Sequence, residues 1–227
     1  MKDIKRTQVV VLLLVCFLCF AYPNAAKAGP VTDSATFVAG LAPGYFLNQF
    51  TGLTGLLVDN PMSFSGGTGN AFSYDAAATN GLYGLPATGS TSWLSTNVFG
   101  DTLNITFTSG NVTAVGGNFF NTDITGTELT DSVTVLLSGV SGSVTLPASG
   151  DTPVDFWGYL STPGVFITGL TITPPAGTTT DGATVANLYV GAVRHDDDRG
   201  TPEPATFGLL GAGLLAAGLL GKRLSRV

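Results

Sequence analysis

Short runs in which apolar and polar residues take strict turns dominate the body of this chain. No stretch before residue 202 carries the long three-to-four-residue apolar period of an amphipathic helix. Leu103, Ile105 and Phe107 alternate with Asn104, Thr106 and Thr108. A period of two turns one face of a strand to a core and the other to water. Ser109-Gly110-Asn111 then turns the chain into a run over 112–120, and 131–137 repeats the alternation through Val133, Val135 and Leu137. Runs at 144–146, 154–160, 165–173 and 184–193 complete the second half, with Thr and Val in the abundance strand surfaces favour. Nearer the N-terminus, 37–50 holds a turn at Gly40-Leu41-Ala42-Pro43-Gly44 and one short helical turn over 45–50, whereas 66–70 and 79–92 read as loops. Many short strands between turn signals must bury their apolar faces against one another. The prediction is an all-β, antiparallel two-sheet sandwich of jelly-roll type.

Charge placement narrows the function. No Lys or Arg occurs from 28 to 193, while that stretch carries Asp33, Asp59, Asp75, Asp101, Asp123, Glu128, Asp131, Asp151, Asp155 and Asp181. Nucleic-acid binding needs basic side chains to neutralise phosphates, so nucleic acid is excluded as a partner, and phosphorylated substrates and anionic lipids are disfavoured. Neutral glycans, cations and proteins remain open.

The two ends carry addresses. Lys2, Lys5 and Arg6 precede an apolar run over 9–21, and Ala26-Lys27-Ala28 fits the small-x-small rule for signal peptidase, making Gly29 the expected mature start. Cys16 and Cys19, the only cysteines, lie inside that run, so the mature chain has neither a disulfide nor a thiolate site. At the other end, Thr201-Pro202-Glu203-Pro204 leads into an uncharged stretch over 205–221 rich in Leu, Gly and Ala, followed by Lys222, Arg223 and Arg226. Its 17 residues would form a helix of about 25 Å, marginal for a hydrocarbon core of about 30 Å. The basic tip would stay on the cytoplasmic side. Domain boundaries follow as a signal peptide at 1–28, a sandwich at 29–193, a polar acidic linker at 194–201 and a tail at 202–226 that passes the membrane as a helix.

Pro202-Glu203-Pro204, the apolar stretch and the basic tip together resemble the PEP-CTERM sorting tail of bacterial envelope proteins; Thr201 stands where Val is commonest in that family. The resemblance implies cleavage near the motif by an exosortase after export from a Gram-negative bacterium. An inner-membrane intermediate would then give a cell-envelope, outer-surface or extracellular-matrix protein associated with exopolysaccharide and biofilm. Ile105-Thr106-Phe107, Val115-Gly116-Gly117-Asn118-Phe119-Phe120, Ser132-Val133-Thr134-Val135, Phe156-Trp157-Gly158-Tyr159 and Asn187-Leu188-Tyr189-Val190-Gly191 resemble the lectin-like sandwich domains found ahead of such tails. These are framework patterns, so they imply fold rather than ligand.

Chemistry-bearing residues are few. His195, the only histidine, lies in the linker beside Asp196, Asp197 and Asp198, and the sandwich has no lysine nucleophile. A Ser-His-Asp site needs a histidine held by the fold, and Glu128 is the sole glutamate available to a two-carboxylate glycosidase. No enzymatic activity is expected. Asp123, Glu128 and Asp131, with Asn121, crowd one segment and are the candidate ligands of a structural calcium, although no calcium-loop spacing is present and such residues are common at turns. No other cofactor is expected. Among the aromatics, Trp93, Trp157 and Tyr159 are the candidate glycan-facing residues, against core packing as the competing reading. Trp157 and Tyr159 share one face of a regular strand, with Phe156 and Leu160 on the other. Asn104-Ile105-Thr106 and Asn111-Val112-Thr113 match the glycan-acceptor pattern. Two roles follow, a structural or adhesive matrix component and, alternatively, a carbohydrate-binding module that uses calcium or not.

Overall fold

A computed structural model describes residues 28–53, 57–86, 92–123, 125–140, 142–146 and 156–194. Within them the chain is all-β apart from one short α-helix and a 3-10 turn, and its strands form two antiparallel sheets. In chain order the elements are β1 (Gly29–Val31), α1 (Ser34–Ala39), β2 (Phe46–Asn48), β3 (Leu57–Val58), β4 (Met62–Gly66), β5 (Phe72–Ala77), β6 (Leu82–Pro86) and β7 (Ser92–Thr96). Then come β8 (Leu103–Phe107), β9 (Ala114–Thr122), β10 (Glu128–Leu129), β11 (Val133–Ser138), β12 (Gly142–Leu146), β13 (Phe156–Leu160), β14 (Gly169–Thr173) and β15 (Gly182–Gly191). The first sheet runs β1-β13-β9-β15-β7-β6-β3, with β10 on β9 and β2 on β15; the second runs β12-β11-β14-β8-β5-β4.

The core lies between the sheets. The expected alternation places Leu103, Ile105 and Phe107 of β8 inside, together with Val133, Val135 and Leu137 of β11, and they meet Leu94, Phe119, Val185 and Leu188 from the first sheet. Burying such side chains contributes about 1.5–3 kcal/mol each, which is the main force closing the sandwich. Asn104 is an exposed strand residue of β8.

The first sheet is covered in part on its outer face as well. Phe37 from α1 is fully buried there with Leu41, Ala114, Phe156, Leu160 and Val193. This second cluster explains β13. Trp157 packs into the main core and Tyr159 against it, while Phe156 and Leu160 pack under α1, so both faces of one strand are apolar.

Two expectations are corrected. The segment 45–50 is not a helical turn: Phe46–Asn48 is β2, paired with β15 through Leu47 and Tyr189. The helix lies earlier, at Ser34–Ala39, where Asp33 caps it by accepting the Thr36 backbone N–H at 2.7 Å. The supposed loop at 79–92 contains β6, paired with β7 from Leu82 to Pro86. Gly84 reads as a turn signal, yet it is a strand residue whose missing Cβ leaves room for Leu53, which a Cβ would approach to 2.7 Å.

Candidate functional site

A cleft of about 220 Å³ opens beside the outer face of the first sheet, lined by Tyr83, Leu85, Ser95, Thr96, Asn97, Phe99, Thr122, Asp123 and Gly182. Register assembles its floor. Ser95 of β7 lies opposite Tyr83 of β6 on one side and Thr184 of β15 on the other, and Gly182 of β15 lies opposite Thr122 of β9. The floor is a buried hydroxyl trio. Thr122 Oγ1 and Thr184 Oγ1 stand 2.8 Å apart, Thr184 Oγ1 donates to Ser95 Oγ at 2.9 Å or to the Gly182 carbonyl at 3.1 Å, and Ser95 donates to the Ala183 carbonyl at 3.3 Å. Each hydroxyl has one proton and two lone pairs, so the trio retains acceptor capacity after its internal bonds are made. Thr96 also borders the cleft, but it pairs with the core residue Leu82, so its side chain lies on the core face of β7, where its Oγ1 is buried without a hydrogen-bond partner among the described residues.

One wall is the turn after β9. Asp123 Oδ1 accepts from the Thr125 backbone N–H at 2.8 Å, the Thr125 hydroxyl at 2.7 Å and the Thr127 backbone N–H at 2.8 Å. The Thr125 hydroxyl leads the interactions that hold the Asp123 carboxyl below the usual carboxylate range, so it is anionic at neutral pH. Gly126, at φ 82°, lets the turn close on Leu85, whose methyl a Cβ would meet at 3.1 Å.

Of the candidate calcium ligands, Asp123 thus serves as the hub of a turn, Glu128 lies in β10 opposite Thr122, and the Asp131 carbonyl accepts from Asn121 Nδ2 at 3.3 Å. Among the described residues no three His, Cys, Asp or Glu side chains gather as a metal-holding group, and Asp123, Glu128 and Asp131 are not brought together as one. Of the candidate glycan-facing residues, Trp157 is 2% exposed in the core, with Nε1 lacking a partner among the described residues, and so offers no outward platform. Tyr159 is half-buried beside it, with ring centroids 6.4 Å apart. Trp93 is half-buried on the outer face and packs T-shaped against Phe120, with ring centroids 4.9 Å apart.

Alternation alone missed the cleft. Tyr83 stood in a segment read as loop, and Ser95, Thr122 and Thr184 lie far apart in sequence. Asp123 stands out in the sequence, although as a candidate metal ligand. The sorting residues Pro202, Glu203 and Pro204, the signal-cleavage residue Ala26, the basic tip Lys222, Arg223 and Arg226, and the tail helix lie outside the described residues; Ala28 and Gly29 lie within them. Among the described residues no helix is long and apolar enough to cross a membrane.

Residues 201–223 match the family model of the PEP-CTERM protein-sorting motif. The motif implies an exosortase as processing enzyme and membrane-associated sorting of an exported protein to the cell envelope. Neither a curated protein nor a solved structure matches the chain.

Proposed function

We propose that this protein is a structural or adhesive component of the exopolysaccharide or biofilm matrix, delivered by an export signal at 1–28 and released from a transient inner-membrane anchor by exosortase cleavage near Pro202-Glu203-Pro204. The observation that carries the reading is the sorting-motif match at 201–223. The sandwich supports it by composition: with no Lys or Arg from 28 to 193, it has no affinity for phosphate-rich partners and stays soluble beside neutral polymers. We read the sandwich as a jelly roll, because from β7 to β9 and again from β12 to β15 successive strands alternate between the two sheets. The protein acts without catalysis, since its only histidine is in the linker and its sandwich holds a single glutamate.

The mature ends test the sorting half of this reading. Protein isolated from the envelope or matrix of its native host should begin at Gly29 and end near Pro202 by intact mass, and a Glu203→Ala variant should accumulate with its tail. A mature protein that keeps residues 205–227 would overturn it.

A further inference from the structure

From the cleft beside the outer face of the first sheet, we infer that the sandwich holds one neutral sugar residue between the Tyr83 ring and the Ser95–Thr122 hydroxyl floor. The inference deepens the matrix reading by naming a site and a ligand class, and the site stands on its own geometry.

The lining selects the chemistry. Tyr83, Leu85 and Phe99 offer apolar contact, while Ser95, Thr122 and Asn97 offer neutral polar groups. A pyranose has the same division, with C–H faces that stack on rings and hydroxyls that both donate and accept. The trio can accept from a ligand hydroxyl with its spare lone pairs. An anionic ligand is disfavoured because Asp123 is ionised at the wall and no Lys or Arg lies in 28–193 to offset it. At about 220 Å³ the cleft is below the size of sites for drug-sized ligands, about 300–1,000 Å³, and suits one ring. Gly182 keeps the floor open: a Cβ there would lie 3.0 Å from Ser95 Oγ.

Gly182 begins the ten-residue β15 and Gly191 ends it, and the chain leaves the sandwich two residues later through the Leu41–Val193 bridge. Ten strand residues span roughly 30 Å. The cleft therefore sits at the far end of β15 from Val193, where the chain leaves the sandwich.

The test uses the full chain in detergent, titrated by saturation-transfer NMR with glucose, galactose, mannose and N-acetylglucosamine, with glucuronate as the charged control. Dextran, added separately, distinguishes a chain-end or internal polymer unit from a free monosaccharide. At least one neutral sugar should bind saturably and more tightly than glucuronate. Tyr83→Leu should weaken that binding about tenfold, the loss of one ring contact. Gly182→Ala should abolish it while Tyr83→Leu, which leaves the floor intact, guards against a folding defect in the alanine variant. Absence of saturable binding by all four neutral sugars, glucuronate binding as well as they do, or unchanged affinity in Tyr83→Leu would overturn the inference. None of these results alters the mature C-terminal mass, so the sorting reading stands or falls separately.

Discussion

Tyr74 illustrates how much of the molecule is settled by single buried polar atoms. Its ring is fully buried, stacked on Phe64 at 5.0 Å, and its hydroxyl accepts from Asn48 Nδ2 at 2.8 Å. Asn48 Oδ1 in turn accepts the Phe50 N–H at 2.8 Å, which fixes Phe50 at φ 52°. Burial pushes the Tyr74 phenol far above its ordinary value, with the Asn48 bond opposing weakly. A raised folded-state value means that its contribution is complete below the unfolded phenol's value of about 10 and is lost as pH rises beyond it. Tyr74→Phe should cost about 1 kcal/mol at pH 8, because Asn48 Nδ2 loses its acceptor, and the gap from wild type should narrow at pH 11. Urea unfolding at the two pH values measures this, and equal gaps would contradict it. The hydroxyl trio makes a parallel case. Thr184→Val keeps the shape and removes the hydroxyl that Ser95 and Thr122 share, so the urea midpoint should fall by about 1–2 kcal/mol in stability with an unchanged slope. A wild-type midpoint would mean the trio contributes nothing to the fold.

Among the elements, α1 shows why the second apolar cluster exists. Six residues are too few for a helix to stand alone in water, so its cap and its one buried side chain must hold it. Phe37 lies over Gly116 and Gly158, which face each other across β9 and β13; a Cβ on Gly158 would reach the Phe37 ring at 2.5 Å and one on Gly116 at 3.0 Å. Phe37→Ala should therefore cost about 3–5 kcal/mol. Gly158→Ala should cost about 1–3 kcal/mol by lifting the same ring. A double variant should cost clearly less than the sum, since the alanine at 37 removes what the new methyl strikes. Full additivity in thermal or urea melts would place the two residues in separate packing units.

The same elements mark the limit of what pattern reveals. β8 and β11 were legible because one face of each looks into the core and the other at water. β9 is buried along its whole length and β13 nearly so, so neither alternates; they are legible instead as short apolar runs between turn signals. β6 was hidden by Gly84 and Pro86, and α1 by its shortness. The cleft was illegible for a different reason. Ser95 is 27 residues from Thr122 and 89 from Thr184, and only strand register brings three ordinary hydroxyls to one floor.

For the whole molecule, the decisive property is a sandwich without cations. Ten carboxylates lie in 28–193 with no Lys or Arg to offset them, so their mutual repulsion acts against the compact state at neutral pH. Two of them, Asp33 and Asp123, are held below the usual carboxylate range chiefly by the hydroxyls of Thr36 and Thr125. Their contribution is complete above the unfolded value of about 3.9 and is lost as pH falls through the lower folded one. Acid therefore removes repulsion and these hydrogen bonds together, whereas salt screens the repulsion and leaves the bonds in place. Raising NaCl from 0.01 M to 1 M shortens the screening length from about 30 Å to about 3 Å. The midpoint of thermal unfolding at pH 7 should accordingly rise, by about 2–4 °C for each kcal/mol of repulsion relieved. A protein held by surface ion pairs would respond in the opposite direction, so a falling midpoint in a NaCl series would show that long-range repulsion is not what limits this fold.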